Sequence, residues 1–192
     1  MNLPPEPAME QREKYIARLI HNPGGHGLSE TRMINTPQVL VARWIRLKCQ
    51  YSCRGISAPM FHPPQSPTAE DTSEVLETYR FGLLLRRDIQ FKGGETGAQD
   101  LLSEFQRSLL KIEDAAFSRG YSRAFLYAVG NCIFCQGGSE EMRPCHYPGK
   151  TRPTLEAAGI DLAETLRMLG WEEYLIHKPG GALSLFGLLL LE

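Results

Sequence analysis

All five cysteines of this chain fall into two short segments that lie far apart in the sequence. The first segment holds Cys49 and Cys53, followed by His62. The second segment holds Cys132, Cys135 and Cys145. Thiolate and imidazole groups bind zinc, and thiolates hold iron–sulfur clusters. We therefore expect a fold that brings the two segments together around a metal ion or a cluster.

The composition is that of an ordinary globular protein, with 192 residues, 42% hydrophobic and 22% charged. It predicts a Pro-rich flexible lead over residues 1–9, followed by a single metal-binding domain over residues 10–192. The formal net charge of −1 and the lack of basic patches interleaved with aromatic residues argue against nucleic-acid binding. The loop K-G-G-E-T-G lacks the spacing of a phosphate-binding loop.

The ends of the chain indicate a cytoplasmic protein without a membrane segment. The N-terminus lacks the basic start and apolar core of a signal peptide. The longest apolar run, at residues 183–191, is too short to span a bilayer. Cytoplasmic thiols stay reduced, and five is an odd number. The cysteines therefore indicate ligands or reactive groups rather than disulfides.

Hydrophobic periodicity predicts an α/β or α+β domain with a mixed sheet, helices packed on it, and cysteine loops at strand ends. The predicted strands cover residues 39–47, 80–89 and 124–129. The predicted helices cover residues 10–20, 98–118, 153–158 and 161–169, with a further helix that begins after Thr68 and buries Val75, Leu76 and Tyr79. The last twenty residues or so read as a hairpin that turns at K-P-G-G. In this scheme one strand leads directly into Cys49 and another into Cys132.

The spacing within each segment suits a metal site. Cys132 and Cys135 form a C-x2-C pair, which lets one turn present two sulfurs to the same metal or cluster. His62 precedes two prolines, which stiffen the backbone around it. The alternatives are a thioredoxin-like redox pair or a chance spacing for the C-x2-C, and an ordinary loop histidine for His62.

These motifs resemble the DUF2284 family of predicted metal-binding proteins. The similar pieces are R-L-K-C-Q-Y-S-C at 46–53, H-P-P-Q-S-P-T at 62–68, G-x-C-x2-C at 130–135, C-x2-P followed by K-x-R-P-T-L-E-A-A-G-I-D at 145–161, and the closing G-L-L-L-L-E. The resemblance spans roughly residues 40–192 and implies metal or iron–sulfur binding. It implies no particular reaction.

The chain departs from this family at two places. Family members usually have a cysteine before the Pro-Pro pair, where this chain has His62, and a further cysteine within the stretch that is 136–144 here. Five cysteines cannot supply two complete four-cysteine clusters. One cluster held by Cys132, Cys135 and Cys145 would leave an iron open. A second site of Cys49, Cys53 and His62, a single site that draws on both segments, and a Cys3His zinc site also fit.

Three functions follow from these ligand sets. The first is an iron–sulfur protein, of the 4Fe-4S type, that acts on a small-molecule substrate or exchanges electrons with a redox partner; as an enzyme it would be an oxidoreductase or a lyase. The second is a zinc-stabilised binding module, and the third is a metal-trafficking or metal-sensing protein. Arg54, Lys150 and Arg152 flank the cysteines and are candidates to hold an anionic substrate, although each would also serve as a surface charge. The sequence singles out no catalytic residue.

Overall fold

The computed structural model of the protein describes residues 6–52, 62–90, 95–130, 134, 147–175 and 182–192. Within these ranges the α-helices are α1 (Glu6–His21), α2 (Arg43–Ser52), α3 (Ala69–Glu77), α4 (Glu95–Ser118) and α5 (Leu162–Met168). Short 3-10 helices cover Pro23–His26, Thr36–Gln38, Pro148–Lys150 and Glu172–Leu175. The first helix therefore begins at Glu6, inside the segment that the sequence suggested as a flexible lead.

The strands form one sheet in the described part of the chain. They are β1 (Glu30–Asn35), β2 (Phe81–Ile89), β3 (Phe125–Tyr127) and β4 (Leu183–Leu190). Their spatial order is β1-β2-β4-β3, and every neighbouring pair is antiparallel. An isolated parallel bridge joins Ala128 to Thr154 beyond the end of β3. The α/β class is confirmed, but the mixed sheet that we predicted is antiparallel except for this bridge.

Helices cover both faces of the sheet, which explains why β2 and β4 read as continuous apolar runs. Because successive strand residues point to opposite faces, Leu83 and Leu85 belong to one core and Leu84 to the other. The first core includes buried side chains of α1 and α4, among them Leu19, Phe105 and Leu109. The second core includes Leu76 of α3, Leu166 of α5 and Trp171. The result is a three-layer arrangement with the sheet in the middle.

Local sequence signals correctly predicted several elements. Strand β2 and helix α4 lie close to their predicted positions. Thr68 caps α3: its hydroxyl accepts a hydrogen bond from the Asp71 amide, and the Asp71 carboxylate accepts one from the Thr68 amide. Asp161 caps α5 by accepting a hydrogen bond from the Glu164 amide. The predicted inner face of α3 needs correction: Val75 is 37% exposed and Tyr79 is half-buried, so Leu76 shares that face with Ala69 and Thr72.

Three other predictions were wrong. Residues 39–47 do not form a strand that leads into Cys49: the bulk of the segment is the first half of α2, and Cys49 lies inside the helix. Residues 153–158 form turns rather than a helix. The expected first arm of the C-terminal hairpin is a 3-10 helix (Glu172–Leu175), and the turn at K-P-G-G lies outside the described residues. Instead of a hairpin partner, β4 has β2 and β3 on its two sides, so long-range pairing determined its neighbours.

Candidate metal centre

Helix α2 places Cys49 on the face that looks into the protein. Ile45, Lys48, Cys49 and Ser52 line one pocket. Their spacing of i, i+3, i+4 and i+7 is that of a single helix face. The apolar residues of the opposite face, Trp44, Leu47 and Tyr51, are exposed. Helix α2 thus brings these four side chains to the pocket, where the strand predicted over residues 39–47 would have ended before Cys49.

Cys49 and His62 are in contact inside the protein. The Sγ atom of Cys49 lies 3.3 Å from Nδ1 of His62. Cys49 is only 9% exposed and His62 only 3% exposed. Two donors on one tetrahedral zinc ion, with bonds of about 2.3 Å for sulfur and about 2.0 Å for nitrogen, lie about 3.5 Å apart. The pair therefore fits a shared metal with little movement of either side chain, and soft sulfur with imidazole nitrogen is a suitable donor set.

The loop that carries His62 is anchored to the rest of the protein. It begins with a cis peptide bond between Pro63 and Pro64. Ser66 donates a hydrogen bond from its hydroxyl to the carbonyl oxygen of Ala157 at 2.8 Å, and its amide donates to the carbonyl oxygen of His62. Thr68 then caps α3. The histidine therefore belongs to a short, hydrogen-bonded loop rather than to a free surface segment.

Residues 153–160 tie the two predicted ligand segments to one another. The amide of Ala128, next to β3, donates to the carbonyl oxygen of Pro153, and the amide of Leu155 donates back to Ala128. The amide of Ala42, next to α2, donates to the carbonyl oxygen of Gly159 at 2.8 Å. Gly159 has φ of +82°, and a Cβ atom there would lie 3.2 Å from that of Ala69. The segment thus connects the helix of Cys49 with the strand that precedes Cys132.

Gly130, two residues before Cys132 in the sequence, has a left-handed backbone conformation. Its φ is +72°, a conformation that glycine adopts more readily than other residues. A Cβ atom at this position would lie 2.5 Å from Leu102 Cδ2 of α4. Gly130 and Val129 also line the pocket that contains Cys49 and His62. The predicted strand at 124–129 is confirmed as β3, and it brings the chain to the wall of this pocket.

The pocket has a volume of about 390 Å³, which suits a small-molecule ligand. Thr154 and Glu156 complete its described wall. Desolvation by the surrounding protein raises the pKa of the Glu156 carboxyl, while hydrogen bonds with its own backbone and with Thr154 oppose the change. Glu156 is nevertheless exposed to solvent, which limits this effect. A larger cavity of about 950 Å³ lies between residues 35–41 and 73–80, with no cysteine or histidine in its described lining.

Of the predicted ligands, the structure brings Cys49 and His62 together. Cys53, Cys132, Cys135 and Cys145 lie outside the described residues, as does Arg54. Within the described ranges there is no group of three or more His, Cys, Asp or Glu side chains that could hold a metal ion. Which residues bind a metal therefore remains a prediction. Two of the predicted ligands, Cys49 and His62, are in contact.

The two described candidates for substrate binding have structural partners. Lys150 is exposed, and its ammonium lies 6.0 Å from the ring centre of Phe134 and 5.9 Å from that of Tyr147. Arg152 donates from Nε to both carboxylate oxygens of Glu113, each at 2.8 Å. Glu113 is buried and also accepts a hydrogen bond from the amide of Leu126. Arg152 thus neutralises a buried carboxylate, and its role toward a substrate stays a prediction.

Sequence reasoning missed several residues of the pocket wall. It did not select Lys48, Ser52, Thr154 or Glu156. The first two could have been found by testing the residues around Cys49 for helical spacing. The other two follow Arg152 in the P-T-L-E stretch, but only their position across the pocket reveals their relation to Cys49.

The fold and the site define a class: an α/β protein in which a buried thiol–imidazole pair lies in the wall of a small-molecule-sized pocket. The family model for predicted metal-binding proteins (DUF2284) matches residues 32–191, and the chain belongs to this family. Comparison with curated proteins gave no match, and neither did comparison with solved structures. Within the described ranges, no helix combines the length and apolar character needed to cross a membrane.

Proposed function

We propose that this protein binds an iron–sulfur cluster, of the 4Fe-4S type, with incomplete cysteine ligation. The candidate ligands are Cys49, Cys53, His62, Cys132, Cys135 and Cys145, of which one cluster would use at most four, with an iron left open where only three bind. The observation that carries the proposal is the buried contact of 3.3 Å between Cys49 Sγ and His62 Nδ1. The Cys49 thiol is a soft donor, and together with the His62 imidazole it is well suited to bind one metal. The chain also belongs to a family of predicted metal-binding proteins, which supports the proposal.

The described ends of both cysteine segments border the same pocket, which supports a single site that draws on both. Ser52 lines the pocket and immediately precedes Cys53. Gly130 lines it from the other side and precedes Cys132 by two residues, a stretch of chain that spans at most about 7 Å. In a single site of this kind, cysteines from both segments would join the Cys49–His62 pair.

A cluster with an iron not held by cysteine would supply a position for a small molecule to bind, or a route for electrons. The side chains of the pocket would bind and orient that molecule. Ile45 and Val129 provide apolar walls that exclude water. Lys48 lines the pocket and forms no salt bridge within the described part of the chain, so its ammonium is available to hold an anionic group. This arrangement suits a cytoplasmic oxidoreductase or lyase that acts on a small anionic substrate.

A structural zinc ion is the second candidate. One thiolate and one imidazole are half of a Cys3His set, which the cysteines of the second segment would complete. In this case the metal would hold the two segments together, and the protein would act as a binding module or as a carrier or sensor of metal. The buried position of the pair suits this alternative, because a structural zinc ion has all four coordination positions filled by the protein and needs no access for a substrate.

Metal analysis of protein purified without oxygen tests the proposal. Iron, zinc and acid-labile sulfide are measured per chain, together with the visible absorption spectrum. Iron and sulfide in similar amounts, with broad thiolate-to-iron absorption, would support the cluster. Zinc without sulfide would support the second candidate, and no metal at all would contradict both.

Replacement of His62 tests whether the described pair takes part. His62→Ala is expected to lower the metal content or to change the spectrum, because it removes a buried ligand. His21→Ala is the matched control, since His21 is exposed at the end of α1. If both variants keep the wild-type metal content and spectrum, His62 is not a ligand.

A further inference from the structure

Arg46 connects the helix of Cys49 with the loop of His62. It lies three residues before Cys49 on α2. Its Nε donates a hydrogen bond to the carbonyl oxygen of Pro67 at 3.0 Å. Its Nη2 donates to the carbonyl oxygens of Pro64 at 3.0 Å and Ser66 at 3.1 Å. One guanidinium thus binds three backbone carbonyls of the short loop that begins at His62.

These hydrogen bonds fix the position of the loop along the helix. Residues three apart in an α-helix are separated by about 4.5 Å along its axis and lie on neighbouring parts of its surface. Cys49 contacts His62, and Arg46 binds backbone carbonyls within residues 64–67. The loop therefore runs back along α2 and touches it at two places, so it cannot slide without breaking the bonds to Arg46.

We propose that Arg46 is a positioning residue that holds His62 at bonding distance from the metal shared with Cys49. The inference rests on the proposed function, because it concerns the geometry of that metal site. A guanidinium is planar and directs several N–H groups in a fixed fork, whereas a lysine ammonium is a single flexible point charge. Lysine therefore keeps the charge at position 46 but cannot bind the three carbonyls in the same geometry.

The test combines Arg46→Lys with His62→Ala in a double-mutant cycle. The affinity for Zn²⁺, used as the probe, is measured by chelator competition on metal-free protein. Arg46→Lys is expected to weaken binding about tenfold when His62 is present, a typical loss when a group that orients a ligand is removed. In the His62→Ala background the same change should cost less than about twofold, because there is no imidazole left to position.

Matched variants keep this test specific. Arg43→Lys on the same helix alters an exposed ion pair with Glu70 and should leave the affinity unchanged. Arg46→Gln is measured in parallel, so that the result does not depend on a single variant folding well, and it should weaken binding at least as much as Arg46→Lys. Equal losses in the presence and absence of His62 would overturn the proposal, since they would indicate a general structural effect.

A second measurement separates this inference from the proposed function. In metal-free protein, the alkylation rate of Cys49 is followed by peptide mass spectrometry. Release of the loop by Arg46→Lys should expose Cys49, which His62 covers, and raise this rate several-fold, while Arg43→Lys should not. If the wild-type protein binds no metal but Arg46→Lys raises the alkylation rate of Cys49, the proposed function fails, while the role of Arg46 in holding the loop against the helix stands. An unchanged rate would overturn the role of Arg46.

Discussion

Nδ1 of His62 lies 3.3 Å from Sγ of Cys49, inside the protein. If His62 is a ligand, His62→Cys should retain the metal, whereas His62→Ala should lose or alter it. Exchange of a cysteine ligand for histidine raises the potential of iron–sulfur centres, so His62→Cys should lower the reduction potential. Redox titration of the two proteins checks this, and equal potentials would remove His62 from the ligand set.

Arg152→Met should destabilise the protein by about 3 kcal/mol, because it leaves the buried Glu113 carboxylate without its cation. Urea unfolding at equal metal content measures the effect. Arg167→Met is the control: Arg167 forms an exposed pair with Glu164, so its loss should cost less than about 0.5 kcal/mol. Similar values for the two variants would contradict a structural role for Arg152.

Gly130→Ala should destabilise the protein by at least about 1–2 kcal/mol, the cost of a left-handed conformation for a residue with a Cβ atom. The new methyl group would also collide with Leu102, so the double variant with Leu102→Ala should remove the collision but not the backbone cost. Thermal unfolding measures the effect, and Gly149→Ala, at a position with open space around the glycine, is the control. If Gly130→Ala unfolds at the wild-type temperature, the turn does not require glycine.

Glu156→Gln should change how stability depends on pH. Desolvation raises the pKa of Glu156 in the folded protein, so its favourable contribution is complete below the unfolded pKa and is lost as the pH rises through the folded pKa. Because Glu156 is exposed, the glutamine variant should gain only a little stability relative to wild type at neutral pH, and it should lose this advantage near pH 4, about the ordinary glutamate pKa. Urea unfolding at the two pH values tests this, and a wild type that is the more stable protein at neutral pH would contradict it.

Local signals in the sequence were sufficient for the elements that depend on neighbouring residues. The capping positions Thr68 and Asp161 hydrogen-bond to amides three residues away, so their role is visible in a short window. The apolar run of β2 and the helical spacing of apolar residues in α4 show, from residue type and order alone, which side chains are buried. The same local reading failed at residues 39–47, where β-branched residues and a tryptophan are mixed with leucines and arginines, a pattern that suits either a strand or a helix.

By itself, the sequence determined the family, the α/β class and the two segments that carry the predicted metal ligands, because these depend on residue type and spacing. Only the tertiary structure decided that Cys49 lies on a helix, that His62 packs against it, and that Arg46 holds the loop between them. It also decided that Arg152 faces Glu113, thirty-nine residues away. Such contacts depend on how distant segments pack, and no local pattern of side chains specifies that packing.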